Sequence, residues 1–235
     1  EPTDIRRILE KHGFPVQSPG PGIEPSGTEG QSVLFSLMGF RRIDSIDYYP
    51  DEGPSFMFDL NHALPVDPGP AFDLVYDGGT MEHCFDPAQV LRNAASLVAP
   101  EGLVIHHVPI NNWVDHGFYQ FSPTLFFDFY AACGFVDLNM KIHFKDGDRE
   151  SYVTYDPARD PPVPYALGGK KRVLAFFCAR RPANSVLNPL NSLIQGRYRA
   201  TFGDEPQRRG RPKTLLQRLR ASSRKRFFGV NAKPL

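Results

Sequence analysis

Cysteine is scarce in this chain. There are 3 in 235 residues, Cys84, Cys133 and Cys178. Their odd number, wide scatter and lack of metal-ligand spacing argue against a disulfide framework or a zinc module, and for a reducing, cytoplasmic compartment. Long apolar runs are also missing. The longest, Val173 to Ala179, is far shorter than the roughly 20 residues that a bilayer-spanning helix needs. No signal-peptide pattern opens the chain, which begins Glu1-Pro2-Thr3. A large net charge is absent as well, at +1. What is present is core-forming material: 41% hydrophobic residues and 19 Phe, enough for one sizeable core with an appendage.

The small net charge hides an asymmetry. Residues 181–235 hold 13 Lys and Arg against 2 Asp and Glu, whereas residues 1–180 hold 14 against 24. An acidic body of residues 1–183 is therefore followed by a basic extension, 184–235. The body does not suit nucleic acid. Thr214 to Phe228 sets Leu215, Leu216, Leu219, Phe227 and Phe228 among Arg and Lys, a pattern for a basic amphipathic helix. Such a helix suits an anionic membrane surface, nucleic acid, a partner subunit in a homo-oligomer, or the acidic body itself.

Local signals predict alternating strands and helices. Helices are expected at Thr3–His12 and Thr28–Met38. Strands are expected at Arg41–Asp47, Ser55–Asp59, Phe72–Tyr76, Leu103–Val108, Phe135–Phe144 and Arg172–Arg180. Asp86-Pro87 and Ser122-Pro123 each pair a helix cap with proline at the first helical position. They open helices reaching about Val98 and Gly134. A loop rich in Asp and Pro is expected between the last two strands. This alternation argues for an α/β sheet that binds ligands at the carboxyl ends of its strands.

The stretch Phe72-Asp-Leu-Val-Tyr-Asp-Gly-Gly-Thr-Met-Glu-His83, then Asp86-Pro87, then Ala99-Pro-Glu-Gly-Leu-Val-Ile105, resembles the middle of class I methyltransferases. These enzymes move a methyl group from S-adenosylmethionine. The resemblance covers roughly Ser32 to Phe144. It implies a Rossmann-like, mostly parallel sheet with an antiparallel late strand and helices on both faces. It also implies a cofactor site: Asp47 on the ribose hydroxyls, Tyr48 on the adenine face, Asp59 and Leu60 near the adenine, and Asp77 with Gly78 beside the methionine portion. The family's first strand and Gly-rich turn have no counterpart. Gly20-Pro21-Gly22 is too broken by proline, so those elements are expected before Glu1. A degenerate, non-binding module is the alternative.

Methylating an aliphatic hydroxyl requires a base within hydrogen-bond reach. His106 and His107 lie in the expected strand Leu103–Val108 and His116 on the loop after it, and at least one of the first two should be structural. His116, before Gly117 on a loop, is the candidate base, with Asp115 or Asp77 orienting it. Glu82, His83, Trp113, Tyr119 and Gln120 are candidate contacts for the acceptor, because polar groups mixed with aromatic faces suit a polyol. Mg2+ is a candidate cofactor through Asp77, Glu82 and His83. The segment His116-Gly-Phe-Tyr-Gln-Phe-Ser-Pro123 is similar to one in bacterial methyltransferases of saccharide pathways, in particular actinobacterial enzymes that methylate mannosides of polysaccharides. The expected activity is O-methylation of a small-molecule or oligosaccharide acceptor. The alternatives are an RNA or protein methyltransferase that uses the basic tail, and a non-catalytic module.

Overall fold

The computed structural model describes residues 10–11, 13, 34–51, 53–65, 71–155, 157, 171–185 and 193–202. The chain divides into two compact units, Glu1–Leu190 and Asn191–Leu235. The second contains one short described helix, Gly196–Phe202. The expected helix at Thr214–Phe228 lies outside the described residues, as does most of Thr3–His12. No helix among the described residues is long and apolar enough to cross a membrane.

The first unit contains two sheets. Strands β1 (Ile46–Asp47) and β2 (Phe56–Met57) pair in parallel. The larger sheet is built from β3 (Phe72–Asp77), β4 (Val98–Asn111), β5 (Val136–Asp146), β6 (Arg149–Thr154) and β7 (Arg172–Arg180). Its spatial order is β3-β4-β7-β5-β6. β3 runs parallel to β4, and the three other pairings are antiparallel. The fold is therefore α/β with a mixed sheet among the described residues, where a mostly parallel one was expected. Because β4 and β5 both oppose β7, they share a direction with each other and with β3.

Two helices connect these strands. Helix α1 (Pro87–Leu97) starts as the Asp86-Pro87 pair predicts, with the Asp86 carboxylate accepting the Gln89 N–H at 3.0 Å. Helix α2 (Pro123–Ala132) follows Ser122, whose hydroxyl bonds Thr124 at 3.1 Å instead of capping the helix. α2 ends in a Schellman arrangement. The Phe135 N–H reaches the Tyr130 carbonyl at 2.9 Å and the Gly134 N–H reaches Ala131 at 3.0 Å. Gly134 turns left-handed there, at φ 87°. The rings of Phe135 and Tyr130 then meet at 5.0 Å, which fixes where Tyr130 enters the core.

One face of the larger sheet forms that core. Val104, His106 and Val108 of β4, Ala175, Phe177 and Ala179 of β7, and Met140 and Ile142 of β5 are all buried. They sit at alternate positions, as the strand period requires. Phe126 and Tyr130 of α2 cover them, with ring centroids 5.5 Å and 5.3 Å from Phe177. Burying each such ring contributes about 1.5–3 kcal/mol.

Several expected boundaries move. β1 and β2 are two residues each because their ladder matches only Ile46 with Phe56 and Asp47 with Met57. The Pro100-Glu101-Gly102 turn lies inside β4 as an irregularity: Phe72 pairs with Val98, yet Leu74 pairs with Leu103. Part of the expected loop before β7 is strand β6, joined to β5 by the two-residue turn Gly147-Asp148.

Candidate active site

The carboxyl ends of β3 and β4 gather most of the titratable groups named from sequence. Asp77 closes β3 and is buried. Its Oδ1 accepts N–H groups from Thr80 at 2.8 Å and Gly79 at 3.3 Å. Its Oδ2 accepts from His106 Nδ1 at 2.8 Å, and His106 Nε2 meets the Tyr130 hydroxyl at 2.6 Å. Burial and the Asp77 charge raise the Tyr130 pKa well above its ordinary 10.0, so the hydroxyl keeps its proton. Because the Asp77 carboxylate can only accept, the neutral His106 ring faces it with Nδ1–H and leaves Nε2 to accept from Tyr130. His106 then carries its proton on Nδ1 and gives it to Asp77. Burial alone would raise the Asp77 pKa. The hydrogen bond from His106 and those from the two backbone N–H groups together hold it below its ordinary 3.8.

This relay is structural. His106 is 0% exposed, and both oxygens of Asp77 are engaged. Asp77 is therefore not placed to orient His116. The depressed pKa has a stability consequence. A carboxylate whose folded value lies below its unfolded value stabilises the fold above the unfolded value and loses that contribution as pH falls through the folded one. Wild-type melting temperature is expected to drop below about pH 4, and Asp77→Asn should flatten that drop. An equally steep drop in the variant would remove Asp77 from this role.

A second group lies one turn further along. The 3-10 turn Met81–His83 carries Glu82, which is 1% exposed. Burial, with the Asp77 charge adding to it, pushes the Glu82 carboxyl up to about 7. His116 comes from the loop after β4, and its Nε2 lies 3.6 Å from Glu82 Oε1 with 40% of its side chain exposed. The His83 ring is 5.0 Å from the His116 ring, and the Trp113 ring is 4.7 Å from it. The loop is zipped onto the turn by the Phe118 N–H, which donates to the Glu82 carbonyl at 2.8 Å. A Cβ at Gly117 would stand 2.8 Å from that carbonyl oxygen, so only glycine permits this approach. Phe85, Val114 and Phe118 are exposed and give the group an apolar rim.

The remaining named residues fall into two sets. Tyr119 donates its hydroxyl to the Phe85 carbonyl at 2.9 Å, and Gln120 Oε1 accepts the Trp113 N–H at 3.0 Å. Both therefore brace the loop, and Arg172 sits over the Trp113 ring at 4.8 Å. Asp47 closes β1, with Oδ1 accepting the Tyr49 N–H at 2.9 Å. Tyr48 beside it is 62% exposed. Asp59, just past β2, accepts both the backbone and the side-chain N–H of Asn61, which lower its pKa below 3.8. The Leu60 carbonyl accepts from buried Asn93 of α1 at 3.1 Å. That same amide donates to the His62 carbonyl at 2.9 Å, so Asn93 anchors the loop after β2. Gly78 follows Asp77, where a Cβ would stand 2.7 Å from the Tyr76 ring.

Sequence reasoning missed two features. Glu82 was read as an acceptor contact, yet it is the carboxylate that faces His116, and only the fold joins residues 34 positions apart. The Asp77–His106–Tyr130 relay was also missed. Its signal was alternation, since His106 falls between Val104 and Val108 on the core side. On the opposite side, His107 Nε2 meets His143 Nδ1 at 3.0 Å.

A cleft of about 460 Å³ is lined by Met38 to Arg42 and Ala71 to Leu74. It opens at the amino end of β3, and its nearest lining residue on that strand, Leu74, is about 10 Å of strand away from Asp77. No protein-family model matches this chain, and neither a curated protein nor a solved structure is significantly similar to it.

Proposed function

We propose that the protein is an S-adenosylmethionine-dependent O-methyltransferase acting on a hydroxyl of a sugar or polysaccharide precursor, such as a mannoside. The observation that carries this reading is the strand order β3-β4-β7-β5. The last strand runs antiparallel and inserts between two strands of like direction, as the class I resemblance implies. The parallel β1–β2 pair supplies the other part, and three of these parallel strands carry an Asp at or just past the carboxyl end, at 47, 59 and 77. The Rossmann-like sheet with helices on both faces belongs to this proposal.

The residues fit a nucleoside in part. One Asp47 oxygen accepts from Tyr49, which leaves the other for a ribose diol, and Tyr48 offers an exposed ring. Asp59 is committed to Asn61, so its role is to shape the loop near the adenine. The cofactor, when bound, supplies an electrophilic methyl on a sulfonium. The protein's own task is to place the acceptor oxygen in line with that methyl and take its proton. His116 is the exposed loop histidine at the strand ends, and Glu82 beside it stabilises the imidazolium that forms. Val114, Phe85 and Phe118 offer apolar surface to the C–H faces of a sugar ring.

The test is transfer of a labelled methyl group from S-adenosylmethionine across a panel of methylated and unmethylated mannosides. Incorporation into at least one unmethylated acceptor, blocked when its hydroxyl is already methylated, is expected. No incorporation by full-length protein that demonstrably binds the cofactor would remove saccharides as the acceptor class.

A further inference from the structure

We infer that Glu82, His83 and His116 form a binding site for one divalent transition-metal ion. Each offers a ligand atom, and these atoms all lie within 4.8 Å of one another. Metal–nitrogen and metal–oxygen bonds of about 2.0–2.2 Å set neighbouring ligands roughly 3–3.5 Å apart. The His116–Glu82 separation of 3.6 Å is already near that range. His83 is exposed, so a small side-chain rotation closes the set.

A second observation points to a cation independently. Glu82 is 1% exposed, and its Oε2 is buried with no hydrogen-bond partner among the described residues. An unsatisfied buried acceptor costs about 1–3 kcal/mol, and more when it is charged. A cation that both carboxylate oxygens bind, alongside the two imidazoles, removes that cost. Asp77 does not belong to the set, because both of its oxygens accept hydrogen bonds within the fold.

The donor set selects the ion. Two imidazoles and one carboxylate suit zinc, iron or manganese. Mg2+ prefers oxygen ligands and keeps much of its water. Three protein ligands leave coordination positions open for water or another ligand. The site needs only these three side chains, so it goes beyond methyl transfer and does not depend on it. An imidazole nitrogen that holds an ion cannot also accept a proton. Metal loading and the base role therefore exclude each other wherever they use the same nitrogen of His116.

The test is calorimetric titration of chelator-stripped full-length protein with ZnCl2, in the absence of cofactor and acceptor. One ion per chain is expected, at micromolar Kd or tighter. His83→Ala and His116→Ala should each weaken binding by at least about 100-fold, and MgCl2 should bind far more weakly than ZnCl2. Cobalt loading should add the visible absorption of a nitrogen- and oxygen-ligated ion, and both substitutions should abolish it. Both positions are exposed enough to be replaced without unfolding the chain, which circular dichroism checks. No uptake at about 1 mM zinc, or uptake unchanged in the double variant, overturns the site. A failure of methyl transfer would leave this result standing.

Discussion

Asp77→Ala is expected to destabilise the folded chain by about 3–5 kcal/mol, measured as a lower urea midpoint with an unchanged slope. The substitution removes the acceptor for three donors at once. Thr80 and Gly79 lose the oxygen that closes the turn after β3. His106, 0% exposed, loses the partner of its Nδ1 proton. Tyr130 remains aimed at His106 Nε2 at 2.6 Å, so the relay cannot reverse without turning that hydroxyl away. Asp77→Asn is expected to cost less, about 1–2 kcal/mol. Its oxygen keeps both backbone N–H groups. Its amide can donate to His106 Nδ1 once the ring moves its proton to Nε2 and Tyr130 becomes the acceptor. A loss under about 1 kcal/mol for the alanine variant would mean that the relay adds little to the fold.

His116→Ala is expected to lower kcat by roughly 10²–10⁴-fold, the usual contribution of a positioned general base. Affinity for S-adenosylhomocysteine should change little, because Asp47 and Tyr48 lie on a different strand end. The side chain is 40% exposed, so its removal should leave the melting temperature nearly unchanged. That split separates a chemical role from a structural one. Turnover within about tenfold of wild type, at equal cofactor affinity, would take His116 out of the reaction.

The elements legible in the sequence are those fixed by local chemistry. Asp86-Pro87 announced α1 because a capping carboxylate and a proline both act within one turn. Phe72 to Asp77 and Arg172 to Arg180 read as strands because apolar, β-branched and aromatic residues cluster there. What depended on partners was not legible. Arg41 to Asp47 alternates like a strand, but a strand exists only where a neighbour accepts its ladder, and β2 offers two residues. The Lys141–Thr154 hairpin runs into the stretch rich in Asp and Pro that reads as a loop, although Gly147-Asp148 between alternating residues is a hairpin signal. Pro100-Glu101-Gly102 read as a break because it turns the backbone, with Glu101 at φ 66°. Pairing with β7 nonetheless resumes at Leu103. Of the site, residue types were legible and contacts were not. His116 stood out as a loop histidine beside glycine, but its neighbour is chosen by how the loop lies over the Met81–His83 turn.

The reading of this chain as a methyltransferase depends first on whether it holds an adenosyl nucleoside at the end of β1. Calorimetric titration of the full-length protein with S-adenosylhomocysteine measures that directly. One molecule bound per chain is expected, with a loss of about 10–100-fold in affinity for Asp47→Ala, the cost of a charge-assisted hydrogen-bond acceptor. No detectable binding up to about 1 mM ligand, or equal binding by the Asp47 variant, would contradict that reading.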